Sequence, residues 1–153
     1  MITLLRHAES TGNVDGKIAE WNCGLTEIGI DQSNKLSGEY DLILMSPMKR
    51  CRETLGLSGI FCENVEITAL CREIRTGFIT ELLEGEEIMI ETKENLQDRL
   101  IKFLLLLSER SKKYNKILVI SHCGFIRTMT GITLENAQTL NIVLENSDVK
   151  FFF

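Results

Sequence analysis

Short, unbroken runs of β-forming apolar residues punctuate this chain, and stretches of helical period separate them. Ile2-Thr3-Leu4-Leu5 and Ile117-Leu118-Val119-Ile120 show no polar alternation, the pattern of strands buried on both faces of a parallel sheet. Residues 41–45 and 65–68 read as two more strands, and the tail 139–145 as another. Thr26 is placed to cap a helix running to about Leu36, with Gly38 as its stop. Ser46-Pro47 opens the next helix, serine as N-cap and proline in the first turn. From Lys93 to Arg110 the positions Leu96, Leu100, Phe103, Leu104 and Leu107 keep the spacing of one helical face. A last helix runs from about Gly124 to Gly131. Residues 6–24 read as loop, and 69–92 as an irregular acidic excursion. Phe151-Phe152-Phe153 fits either a strand or a frayed end. Strands alternating with helices predict an α/β fold: a three-layer sandwich with a mostly parallel central sheet and helices on both faces. A chain of 153 residues is expected to form a single domain, 1–153.

Charge narrows the partners. The net charge of −5 gives no global basic field for nucleic acid or an anionic membrane. The longest apolar run, Phe103 to Leu107, is too short to span a bilayer, and no secretory signal is expected ahead of Arg6-His7. Five scattered cysteines without a CxxC pair, beside only two histidines, argue against a structural zinc site and fit a reducing, cytoplasmic setting. No cofactor or metal is expected.

Both histidines directly follow strands: His7 after the first run, His122 after 117–121. Ligands in open α/β sheets bind just beyond the carboxyl ends of such strands. A lone histidine there would only cap a strand end; two, one of them beside Arg6, point to a site for an anion. An imidazole on such a mount can attack phosphorus or act as a base, and a guanidinium can fork onto phosphate oxygens. Lys49, Arg50 and Arg52 crowd the start of a helix, where cations oppose the helix dipole unless an anion accompanies them. Arg50 and Arg52 lie on different faces, so one of them is expected to point inward. Glu73, in Leu70-Cys71-Arg72-Glu73-Ile74-Arg75-Thr76-Gly77, could protonate a leaving alkoxide, but sequence physics does not single it out from Glu81 or Glu84. Cys123-Gly124-Phe125-Ile126-Arg127 is similar to the thiolate loop of cysteine-dependent phosphatases, yet only three residues separate Cys123 from Arg127, too few to cradle a phosphate.

Five blocks, in order, resemble the histidine phosphatase superfamily, also called phosphoglycerate mutase-like. They are Arg6-His7-Ala8-Glu9-Ser10-Thr11 with Asn13, Leu25 to Gln32, Ser46 to Thr54, Leu70 to Gly77, and Val119 to Gly124. The resemblance implies His7 as the nucleophile forming a phosphohistidine. It makes Arg6, Asn13, Arg50 and His122 the phosphate contacts, Arg6 and His122 also serving catalysis, and Glu73 the proton donor. It requires no metal. Ala8, Cys51 and Cys123 depart from the family's usual small residues, and Ala8 in particular gives up the freedom of a glycine at positive φ. The acidic segment 78–92 is short, which implies an open pocket and favours hydrolysis over phosphoryl return. The expected function is therefore a metal-independent phosphatase for small phosphate monoesters, and the partner the resemblance implies is a small phosphorylated metabolite. The alternatives are a phosphoglycerate mutase, a phosphohistidine protein phosphatase, and a non-catalytic phospho-ligand-binding module. The short phosphohistidine phosphatases lack an acid where Glu73 stands. Specificity is expected in the loop 8–24, with Trp21 as a wall, and in 78–92.

Overall fold

A computed structural model of the chain describes residues 1–14, 22–75, 90–144 and 151–153. The expectations for Trp21 and for 78–89 lie outside the described residues.

Five strands form the main sheet: β1 (Ile2–Arg6), β3 (Leu42–Met45), β5 (Val65–Ile67), β6 (Ile117–Ser121) and β7 (Thr139–Ile142). Their spatial order is β5-β3-β6-β1-β7. All neighbours are parallel except β7, which runs antiparallel beside β1. The apolar runs sit where the sequence demands: β1, β3 and β6 are central and buried, whereas the edge strands β5 and β7 are partly exposed. A run that is apolar at every position must be covered on both sides, and it is. Ile2, Leu4, Leu42, Leu44, Ile117 and Val119 pack against α4 (Lys93–Ser111) and α5 (Cys123–Thr130). Leu5, Ile43, Met45, Leu118 and Ile120 pack on the other face around Cys51 and Leu55 of α3 (Lys49–Leu57). The α/β sandwich is thus as predicted.

Helix α4 buries Leu96, Leu100, Phe103 and Leu107, and its N-cap Thr92 accepts from the Asn95 N–H. Phe103 meets Phe125 of α5 edge-on at 5.3 Å. Each such side chain contributes about 1.5–3 kcal/mol on burial. Helix α2 (Glu27–Asn34) is capped by Thr26 as expected. It ends two residues early, and Gly38 is no helix stop but part of a short strand β2 (Ser37–Glu39). That strand pairs in parallel with β4 (Gly59–Phe61), a small second sheet that no hydrophobic run announces. Gly131 does close α5, in the left-handed region at φ 77°. The four-residue helix α1 (Thr11–Val14) lies in the expected loop, and Phe151–Phe153 forms no strand.

One expectation fails at α3. Ser46 does not cap it: the helix begins at Lys49 after Met48, whose side chain makes no cap bond. The Ser46 hydroxyl is committed to His122, at 2.7 Å, and Asn22 Oδ1 takes the Lys49 N–H instead. Among the described residues no helix is long and apolar enough to cross a membrane.

Candidate active site

Register brings the strand ends level. Arg6 pairs with Ser121, Met45 with Ile120, and the N–H groups of His7 and Ser46 reach the carbonyls of Ser121 and Ile120. The residues that follow β1, β3 and β6 therefore converge at one carboxyl edge: His7, Ser46 and His122. The imidazoles of His7 and His122 lie 5.1 Å apart in an edge arrangement.

His7 is almost wholly buried, and its two nitrogens have separate partners. Nδ1 lies 2.7 Å from the Ala8 carbonyl, which only accepts, so Nδ1 carries the proton. Nε2 therefore holds the lone pair, and it accepts from Arg50 Nε–H at 3.2 Å. Burial, then the charge of Arg50 and of Arg6, hold the His7 pKa down to about 3 against the opposing pull of the Ala8 bond. His7 is neutral, with Nε2 free of protons, across the physiological range. Ala8 needs no positive φ, since its N–H donates to Thr54 Oγ1 of α3 and its carbonyl fixes the His7 tautomer.

Arg50 points inward and is buried, while Lys49 and Arg52 are exposed. Arg6 reaches the Leu134 carbonyl through Nη1 at 2.7 Å, and its Nε is buried with no hydrogen-bond partner among the described residues. His122 is fully buried, and its Nδ1 likewise has no partner. Burial, followed by the charge of Arg50 and by His7, sets its pKa well below the ordinary value. Two guanidinium groups beside two neutral imidazoles leave a local excess of positive charge in a chain that is acidic overall.

Glu73 sits on the N-terminus of α5. Oε1 accepts from the N–H of Ile74 and Phe125, and Oε2 from that of Gly124. An anion is favoured there by the free N–H groups and the helix dipole. The approach depends on glycine: a Cβ at 124 would stand 2.6 Å from Glu73 Oε1. Asn13 lies at the rim. Its Oδ1 accepts from the N–H and hydroxyl of Ser10 and from Asn136 Nδ2, which turns its own amide nitrogen away from this cluster.

The structure thus gathers His7, His122, Arg6 and Arg50 at one edge, with Asn13 bonded to it through Asn136 and Glu73 on the adjoining helix end. Sequence reading missed the loop 131–138. Asn136 Nδ2 holds the His7 carbonyl, and Ala137, left-handed at φ 58°, donates to the carbonyls of Arg6 and His7. A strand antiparallel to β1 must begin beside the end of β1, so the turn before β7 was the available signal. Among the described residues no group of three or more His, Cys, Asp or Glu is arranged to hold a metal ion. A separate cavity of ≈ 380 Å³, lined by Tyr40, Asp41, Phe61 and Tyr114 among others, lies at the amino edge of the sheet, away from both histidines.

Residues 2–89, more than half of the chain, match the histidine phosphatase superfamily (branch 1). The chain belongs to this superfamily. It is similar to a 5''-phosphoribostamycin phosphatase of Niallia circulans, 32% identical over an alignment of 102 residues that covers 56% of this chain and 47% of that protein. The match therefore spans about half the length of that relative. In fold it resembles the alpha-ribazole phosphatase of Shigella flexneri, with TM-score 0.69, 20% identity, and coverage of 90% of this chain and 87% of that one. It also resembles the phosphoglycerate mutase of Thermus thermophilus, with TM-score 0.67, 18% identity, and coverage of 99% and 96%. Within this superfamily member, the clustered histidines and arginines come from two neighbouring strand ends, β1 and β6, which the register holds level, and from Arg50 on α3.

Proposed function

We propose that the protein is a metal-independent phosphatase that hydrolyses small phosphate monoesters through a phosphohistidine on His7. The observation that carries this reading is the state of His7: buried, neutral, its Nδ1 proton tied to the Ala8 carbonyl, and its Nε2 lone pair held against Arg50. A phosphate monoester entering here competes for the Arg50 N–H. Once a phosphate oxygen accepts it, Nε2 is released to attack phosphorus. The Nε2–P bond forms as the ester P–O bond breaks. Arg6, Arg50 and His122 supply donors for the three non-bridging oxygens, so the work is positioning and electrostatic stabilisation.

The ester enters as its monoanion; its proton passes to the Glu73 carboxylate, which delivers it to the leaving alkoxide. Oε1 already accepts two bonds, whereas Oε2 accepts one, so Oε2 has the open lone pair on which a proton is carried. In the second half-reaction water attacks phosphorus, Glu73 accepts its proton, and the P–Nε2 bond breaks. Hydrolysis is favoured over mutase chemistry because the segment between Glu73 and α4 is short, which leaves little chain to keep water from the phosphohistidine. The small-molecule phosphatase among its relatives supports an ester of that size.

The test is phosphate release from p-nitrophenyl phosphate and a panel of small phosphate esters, in EDTA, with an alkaline detergent quench that traps label from a radiolabelled ester on His7. Turnover unaffected by chelator, an acid-labile phosphoryl group, and loss of both in His7→Ala are expected. A folded wild type that releases phosphate from no ester overturns the reading.

A further inference from the structure

Ser46 forms a buried pair with His122, and the chemistry above gives Ser46 no part. Both are completely buried, and Ser46 Oγ lies 2.7 Å from His122 Nε2. One hydrogen must lie between these atoms, and either could carry it. The surroundings of Ser46 decide. Its oxygen already accepts from the Met48 N–H, at 3.4 Å. Its hydroxyl hydrogen needs an acceptor, and among the described residues those in reach are His122 Nε2 and the Cys51 thiol. A thiol sulfur is a weak acceptor, an imidazole nitrogen a strong one. The Cys51 thiol lies 3.6 Å from the same Nε2, so it competes poorly for the site that the hydroxyl fills at 2.7 Å. The hydroxyl therefore donates, Nε2 accepts, and the ring proton resides on Nδ1. That nitrogen is the one buried without a partner. A donor there suits an anion; a lone pair would repel one.

We propose that Ser46 is a positioning residue: by donating to His122 Nε2 it fixes the Nδ1–H tautomer and turns the unpartnered nitrogen into a donor for a phosphoryl oxygen. The link to phosphoryl transfer rests on the function proposed above, but the tautomer does not.

The test reads the tautomer directly, by long-range proton–nitrogen correlation spectra of histidine-labelled protein, free and with inorganic phosphate. In the wild type His122 should show a protonated Nδ1 and an acceptor Nε2. Ser46→Ala should lose that preference and lower kcat by about a hundredfold, the cost of one misplaced donor, with KM changed far less. Ser46→Thr, which keeps the hydroxyl, should restore the tautomer and most of kcat. A wild-type His122 protonated on Nε2 overturns the proposal, as does a folded Ser46→Ala that keeps Nδ1–H. Should Ser46→Ala fail to fold, the wild-type and Ser46→Thr spectra still decide. A wild type with the Nδ1–H tautomer but no turnover of any ester removes the phosphatase reading and leaves the assignment of Ser46 intact.

Discussion

Replacing Gly124 with alanine adds one methyl group, yet it should strike the site harder than most truncations. The new Cβ would stand 2.6 Å from Glu73 Oε1 and 3.3 Å from its Cδ. The carboxylate must retreat by roughly 0.8 Å to reach ordinary contact. Its bonds from the N–H groups of Gly124, at 3.2 Å, and Phe125, at 3.0 Å, then stretch past useful length. A hydrogen bond to a charged group is worth about 1.5–3 kcal/mol net, and the anion at the helix end adds about 0.3–1 kcal/mol. Against this, alanine gains up to about 1 kcal/mol over glycine in a helix. The balance is a loss of about 1–3 kcal/mol, or roughly 3–8 °C in Tm for a chain of this size. Thermal and urea unfolding measure it, and ester turnover should fall alongside as Glu73 leaves its place. The decisive control is the same substitution in a Glu73→Ala background, where the clash is gone and Gly124→Ala should be neutral or stabilising. Equal costs in both backgrounds, or a stabilised Gly124→Ala in the otherwise wild-type chain, would refute the reasoning.

Other outcomes follow from the same contacts. Arg99 grips Glu91 through two bonds of 2.6 and 2.7 Å and also holds the carbonyls of Leu70 and Arg72, beside Glu73. Arg99→Met should cost about 3 kcal/mol in urea unfolding, because it removes both short bonds to a buried carboxylate and leaves it the longer contact of Arg72 at 3.7 Å, and the double variant with Glu91→Leu should cost less. Burial alone would raise the Glu91 carboxyl, but the Arg99 bonds and charge outweigh it and hold the pKa below the usual value. A depressed carboxyl adds stability above its unfolded pKa and loses it as pH falls through the folded one, so the gap between wild type and Glu91→Gln should narrow in acid. The histidines work in the same direction by another route. The unfolded His7 takes up a proton below about 6.5 and the folded one only near 3, so stability drops as pH falls through that window, by about 3 kcal/mol at pH 4 from His7 alone. In His7→Asn that part of the acid loss should vanish; parallel pH curves would refute it. Asn136→Ala removes the bonds to the His7 carbonyl and Asn13 Oδ1. It should cost about 1 kcal/mol and raise KM more than it lowers kcat.

The sheet was legible because its evidence is local. Ile117-Leu118-Val119-Ile120 is apolar at every position, and only a strand covered on both faces tolerates that. Thr26 and Gly131 marked helix ends for the same reason, each acting within one turn of its own position. Ser46 misled because a serine before proline carries a strong local cap signal, while its partner, His122, is 76 positions away. Glu73 could not be chosen from 22 acidic residues on spacing alone; what distinguishes it is a glycine on another element that lets its carboxylate reach a helix end. Arg50 and Arg52 differ by two positions, and helical geometry allowed one to point inward without saying which; packing of α3 on the sheet selects Arg50. The strands β2 and β4 were invisible because three half-exposed residues each form no periodic pattern.

The pocket's chemistry and its cost have one origin. Burial and the nearby guanidinium groups keep both imidazoles neutral, which leaves a lone pair on His7 Nε2 but makes acid destabilising. The same burial strands Arg6 Nε and His122 Nδ1 without partners. An unmet buried donor costs about 1–3 kcal/mol, and a fold keeps two of them side by side only where something else sets the geometry. Here the strand register sets it: Arg6 and His122 end neighbouring parallel strands, and neither can turn aside without leaving the sheet edge. An anion that accepts from both recovers that cost on binding. On the function proposed above, part of the affinity for a phosphate resides in the unliganded protein as unmet hydrogen-bonding capacity, and Arg50, bonded to His7 Nε2, ties the arrival of the anion to the release of the lone pair proposed to attack it.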